Sequence, residues 1–249
     1  MNSKVTKIEV DDAVFTQEEA QPFVPRHRPA YPKLTIIDDG EESTGEVVRL
    51  RKDSLAIGRS EGDLQFPAER MMTSLHARIS LDEVSPGSWQ WVLHDLESRH
   101  GVFIRFHEEI VSAGNEILIG GTKIIMHGVA STSTIQEGRT KHVPYVAKGF
   151  RTATAIVAKG YAPERPDLII PVERRQLEFG AAVQGPARIV GDSFVDPKHL
   201  SLRSTDGNSW TASDLSSLNG TWLRIRRLEL DSHCEFMVGE QRFLFNLGN

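Results

Sequence analysis

The side chains best equipped for chemistry in this sequence are cations and hydroxyls set at the ends of short apolar runs. Arg59 follows Gly58 at the end of SLAIG. Thr73 and Ser74 precede His76 by three and two residues in MTSLHARI, and Ser98, Arg99 and His100 fill a turn that ends at Gly101 in DLESRHGVF. Glycine at the end of that turn admits positive φ. Guanidinium, hydroxyl and imidazole groups are hydrogen-bond donors, suited to holding a ligand. Turnover needs more, and no glycine-rich phosphate loop before a helix, nucleophile elbow or defensible carboxylate pair occurs, so the reading is of a non-enzyme. Metal chemistry finds no support either: His76 and His199 have no second histidine or cysteine at ligand spacing. The stretch HEEIVSAGNE from His107 lacks the second histidine of a zinc-protease helix, and it reads as strand and turn.

The elements that must position these residues are strands. From Leu34 onward LTIID, GEVVRLR, SLAIG, HARISL, WQWVLHDL, GVFIRF, EILIG and KIIMHGV are short alternating or fully apolar runs, separated by Gly, Pro, Asp, Ser or Glu. That pattern predicts an all-β sandwich or barrel. A second series repeats the first. SLAIG matches QLEFG, LHARISL matches KHLSLRS, WVLHDLESRHGVFIR matches WTASDLSSLNGTWLR, and EILIGGTKIIMH matches EFMVGEQRFLFN. The offset is 122 at Gly58/Gly180 (180 − 58), 123 at His76/His199 (199 − 76), and 119 at Gly101/Gly220 and at Gly120/Gly239. So steady an offset means one domain present twice. The expected layout is a flexible tail over 1–30, a first domain over 31–129, a linker over 130–149 and a second domain over 150–249.

In order and spacing, Gly-Arg at 58–59, the hydroxyl-bearing loop before His76, and Ser98-Arg99-His100-Gly101 resemble the signature of the forkhead-associated (FHA) family. So does the second set, with Ser217, Asn219, Gly220 and Thr221 in SLNGTW. The resemblance covers nearly all of residues 31–249 and implies two FHA-like (SMAD/FHA-type) β-sandwich domains joined by a linker. It also implies phosphothreonine-peptide binding by apical loops. On that pattern Arg59 and the hydroxyl of Thr73 hold the phosphate, with Ser74, Ser98, Arg99 and His100 around the peptide. Gly58, His76, Gly101, His199, Asn219 and Gly220 shape the loops. The physics agrees: a dianionic phosphate is met best by a forked, permanently charged donor with hydroxyl and N–H groups completing the shell.

The departures from the pattern are informative. His100 stands at the family's asparagine position and Val102 at its threonine position, so a two-pronged grip on the peptide backbone is replaced by an imidazole with one donor and one acceptor. Binding there is expected to be weaker or differently oriented, and pH-sensitive. In the second copy Ala181 replaces the arginine and Asp196 falls at the phosphate-contacting serine. Loss of a charged bond worth about 1.5 to 3 kcal/mol, with a carboxylate facing the phosphate, is expected to abolish ordinary binding, which Lys198 offsets in part.

With a formal charge of −5, 39% hydrophobic and 25% charged residues, nucleic acid is not the expected partner. One cysteine, Cys234, excludes an intrachain disulfide and reads as a core residue. No apolar run is long enough for a signal sequence or membrane span, so a cytoplasmic, membrane-free location is expected. No cofactor is implied. The basic runs RLR at 49–51 and RIRR at 224–227 read as solvated strand faces; Trp89 and Trp91 read as one packed face. The leading reading is a phosphothreonine-dependent signalling adaptor whose partner is a phosphorylated Ser/Thr-kinase substrate. Beside it stand a phosphate-independent scaffold or oligomerisation protein and self-association, in which a phosphorylated Thr6 or Thr16 of the tail would occupy the first site.

Overall fold

The computed structural model describes residues 31–38, 42–127, 142–144, 154–159, 168–171, 176–204 and 209–248. The 1–30 tail with its two threonines, and all of the 130–149 linker except 142–144, lie outside the described residues.

The first copy supplies β1 (Lys33–Ile37), β2 (Glu46–Arg49), β3 (Ser54–Gly58), β4 (Leu64–Gln65), β5 (Ala77–Ser85), β6 (Ser88–Asp95), β7 (Val102–Phe106), β8 (Glu108–Ser112), β9 (Glu116–Ile119) and β10 (Thr122–His127). After β11 (His142–Pro144) the second copy supplies β12 (Thr154–Lys159), β13 (Leu168–Pro171), β14 (Gln176–Phe179), β15 (Leu200–Ser204), β16 (Ser209–Asp214), β17 (Thr221–Glu229), β18 (His233–Val238) and β19 (Gln241–Asn246). Among the described residues the only helical element is a 3-10 turn at Glu42–Thr44. The fold is all-β, with curled sheets whose strands pair antiparallel except β3 with β4, as in a β-sandwich. Alternation explains the strands locally: in β3 Leu55 and Ile57 point into the core with Ala56 between them, and in β5 Ala77 and Ile79 are buried while Arg78 faces out.

Strand pairing runs across the two copies. β7 pairs antiparallel with β17, placing Val102 opposite Ile225, Ile104 opposite Leu223 and Phe106 opposite Thr221. The trailing hairpins then cross over. β9 adds to β17, with Ile117 opposite Leu223, while β18 adds to β7, with Phe236 opposite Ile104. β8 of the first copy edges β16 of the second, and the far end of β17 pairs with β6 of the first. β19 lies against β1, and β10 against β12. Each copy therefore begins a sheet that the other copy's last strands complete.

The core follows the same logic. Phe66 of the first copy meets Phe243 of the second edge-on with ring centroids 5.6 Å apart, and Phe243 stacks on Phe236 at 5.2 Å. Burying one such ring contributes about 2 to 3 kcal/mol, so the shared core is a large part of what joins the copies. A separate small cluster, Phe103, Leu118, Trp222 and Met237, is made of two pairs of equivalent positions, each pair 119 apart.

Three expectations change here. Arg224 does not lie on a solvated face: it is buried, whereas Arg226 of the same run is exposed. Trp89 is exposed and Trp91 alone packs on the core, because Trp89 stands at the start of β6, beside the hairpin turn from β5, where its register partner is Glu83. Cys234 is partly buried against the core rather than inside it, and burial pushes its thiol up to about 12.

Candidate phosphopeptide site

Gly58 brings the first two loops together. A Cβ at this position would lie 2.1 Å from the Ser74 carbonyl oxygen, a distance no side chain permits, so glycine is required by close approach. The resulting contact is continuous: Arg59 N–H donates to the Thr73 carbonyl at 2.9 Å, and the Ser60 and Glu61 N–H groups donate to that of Ser74 at 3.3 and 2.9 Å. Ser60 Oγ also donates to Ser74 Oγ at 3.1 Å. Arg59 and Ser74 are exposed. Among the described residues the Arg59 guanidinium has no ion pair; of the two acidic residues that follow it, Glu61 and Asp63, the latter caps Ala56 N–H at 2.9 Å and faces Lys52 at 4.0 Å.

His76 ties the second loop to the third. Its fully buried ring accepts the Thr73 N–H at Nδ1 (3.1 Å), so the proton sits on Nε2, which donates to the Gly101 carbonyl at 3.0 Å. Burial above all, together with the nearby Arg224 charge, lowers its pKa to about 4 even though the Gly101 bond favours the charged form. The Thr73 hydroxyl donates to the Leu75 carbonyl at 2.8 Å. In the third loop Asp95 accepts the Ser98 N–H at 3.2 Å and Ser98 Oγ accepts the Gly101 N–H at 3.0 Å. Ser98 is thus inside the loop, only 5% exposed. Arg99 is exposed and His100 half-buried on the outer side. Desolvation first, then the Arg99 charge, holds His100 below its ordinary pKa, so its imidazole is the neutral form at neutral pH.

The second copy repeats the frame and closes it on itself. Ala181 N–H donates to the Asp196 carbonyl at 2.8 Å, Asp196 N–H to His199 Nδ1 at 3.1 Å, and His199 Nε2 to the Gly220 carbonyl at 3.1 Å. The Asp196 carboxylate then accepts the Leu218 N–H at 2.9 Å, and Asn219 Nδ2 donates to the Phe194 carbonyl at 3.0 Å. The position of Arg99 is held by Leu218, which is 83% exposed.

Beneath the two third loops sit equivalent arginines from opposite copies. Arg224 Nη1 donates to Glu116 Oε2 at 3.1 Å, Lys123 Nζ donates to the same oxygen at 2.9 Å, and Arg224 Nη2 donates to the Ser98 carbonyl at 3.1 Å. The other triad is Arg105 and Arg242 on Glu235, with Arg105 Nη1 at 2.8 Å from the carboxylate. Each member lies 119 residues from its counterpart. The first triad is almost wholly buried, and the second is partly exposed.

These loops at the end of the sheets set the Arg59 guanidinium, which has no ion pair among the described residues, beside the Ser60 and Ser74 hydroxyls, a group of donors suited to binding an anion. The FHA domain model matches the chain twice, over residues 55–120 and 179–243. Those stretches cover 66 and 65 of 249 residues, and the chain belongs to the FHA-domain family. FHA domains are non-catalytic, phosphothreonine-binding interaction modules of signalling. No curated protein matches the chain. Among the described residues no helix is long and apolar enough to cross a membrane, and no group of three or more His, Cys, Asp or Glu side chains is placed to hold a metal ion.

The sequence reading selected the loop residues but missed Glu116, Lys123, Arg105 and Arg224. One signal was available: Glu116/Glu235 and Arg105/Arg224 recur at the repeat offset on otherwise apolar strands, where a charge needs a partner.

Proposed function

We propose that the protein is a phosphothreonine-dependent adaptor that reads its partner through the first copy. The observation that carries this reading is the Arg59 guanidinium, without an ion pair among the described residues, at the junction where Arg59 N–H bonds Thr73 and the Ser60 and Glu61 N–H groups bond Ser74. Arg59 and the Ser74 hydroxyl donate to the phosphate, and the Thr73 hydroxyl joins them by turning its proton from the Leu75 carbonyl. Arg99 adds a second cation from the third loop, His100 meets the peptide backbone as a neutral imidazole, and Ser98 acts from beneath by holding Gly101. The two copies span 31–129 and 150–249, joined by 130–149 and preceded by the 1–30 tail, and act as one strand-exchanged unit in a cytoplasmic protein. The partner is a kinase substrate presenting phosphothreonine in an extended segment.

The test is binding of a degenerate phosphothreonine peptide library, with phosphoserine and unphosphorylated controls, to the wild type and to Arg59→Ala. Removing the charged donor costs about 3 kcal/mol, a loss of about a hundred-fold or more in affinity. Equal binding of phosphorylated and unphosphorylated peptides by folded protein would reject the reading.

A second reading concerns the second copy alone. Val190, Phe194 and Leu218 are 61%, 62% and 83% exposed around its self-closed apical loops, which favours a phosphate-independent contact there.

A further inference from the structure

Arg224 belongs to the second copy by sequence and to the first copy's binding loop by contact. Its Nη2 donates to the Ser98 carbonyl at 3.1 Å, while Nη1 is anchored by Glu116 at 3.1 Å. A Cβ at Gly101 would come within 2.2 Å of Arg224 Nε, so the guanidinium lies directly against the backbone at the end of the loop. Ser98 and Gly101 bracket Arg99 and His100, the two loop residues turned outward. Three supports therefore converge on this short turn: Asp95 on Ser98 N–H, His76 on the Gly101 carbonyl, and Arg224 on the Ser98 carbonyl. The first two come from the same copy as the loop. The third reaches it only because β17 pairs with β7 across the copies.

We infer that Arg224 is a positioning residue for phosphopeptide recognition by the first copy, so that the second copy contributes an arginine to the first site in place of a phosphate site of its own. This rests on the reading of the first copy as the phosphothreonine site. It accounts for an otherwise odd combination: the second copy has Ala181 and Asp196 where a phosphate reader needs a cation and a hydroxyl, yet carries a buried, doubly anchored arginine. The counterpart Arg105 stands under the Gly220 loop, where a Cβ at Gly220 would be 2.5 Å from its Nε. That loop is closed by Asp196 and Asn219, so the equivalent arginine supports no ligand contact and serves as the matched control.

The experiment compares R224K with R105K in the full chain. Lysine keeps the charge for the carboxylate but cannot also serve the Ser98 carbonyl with a planar fork. Using the tightest phosphothreonine peptide selected from the library by the wild type, R224K should bind about ten-fold more weakly and R105K within two-fold of wild type. The backbone amide NMR signals of Ser98, Arg99, His100 and Gly101 should move in R224K and stay in place in R105K. A purely structural role would instead lower the unfolding midpoint of both variants and leave affinity and loop signals of the folded protein alone. Should R224K fail to fold, E116Q, which loosens the same guanidinium, should weaken binding several-fold and move the same four signals. Wild-type binding that needs Arg59 but is unaffected by R224K and E116Q overturns the inference and leaves the phosphothreonine reading standing. Absence of phosphate-dependent binding by the wild type overturns both.

Discussion

Ile104 lies opposite Leu223 in the antiparallel pair of β7 and β17, and these are the same position in the two copies, 119 residues apart. A residue that faces its own equivalent marks a local two-fold axis. The rest of the exchange is laid out around it: Ile117 on Leu223 and Phe236 on Ile104, Glu116 on Arg224 and Glu235 on Arg105. The chain is arranged like a symmetric dimer whose subunits have traded their last strands, except that one covalent chain supplies both.

Cutting the chain between the copies should therefore not separate them. With a protease site inserted between residues 130 and 140, the two cleaved fragments should travel together in native size exclusion and part only in denaturant. Two folded monomeric fragments would contradict the exchange, because each would have to fold its own trailing hairpin back onto its own sheet.

Acid should loosen the binding loops before the rest of the core. His76 has a folded pKa of about 4 against an ordinary 6.5, so between these values the unfolded chain binds more protons than the folded one. Stability from this residue is complete above pH 6.5 and is lost as pH falls towards 4. The difference amounts to roughly 3 kcal/mol. Unfolding by denaturant from pH 7 to 4.5 checks the slope, and His76→Gln, which keeps an acceptor and a donor, should flatten it. Protonation at Nδ1 also removes the acceptor for the Thr73 N–H, and because the folded protein takes up this proton only near pH 4, phosphopeptide affinity should fall through this route only as pH approaches that value.

Gly101→Ala and Gly220→Ala should differ in cost although both positions have positive φ, +91° and +76°. Each pays about 1 to 2 kcal/mol for placing alanine in the left-handed region. At Gly101 the new methyl also drives Arg224 off a buried carboxylate, a disruption worth about 3 kcal/mol or more. At Gly220 it meets Arg105, whose partly exposed side chain can swing outward. Equilibrium denaturation should rank Gly101→Ala as the more damaging by at least about 2 kcal/mol.

Much of this protein was written in short stretches of sequence. The alternation of Leu55, Ala56 and Ile57 sets which way a strand faces, the glycines at 58 and 101 fix where the chain must turn or approach closely, and the repeat offset declares two copies. Those are local properties, and periodicity and steric limits act over a few residues, so the all-β class and the loop residues could be read without coordinates. Which strand completes which sheet is not local. β9 and β18 are equally good partners for β7 by pattern, since they are copies of each other. The choice of β18 was made by tertiary packing: the Phe103–Trp222 cluster on the axis and the two arginine–glutamate triads form only in the crossed arrangement. For the same reason the burial of Arg224 was out of reach. An arginine in RIRR reads as surface until a glutamate and a loop carbonyl from 108 and 126 residues away close around it.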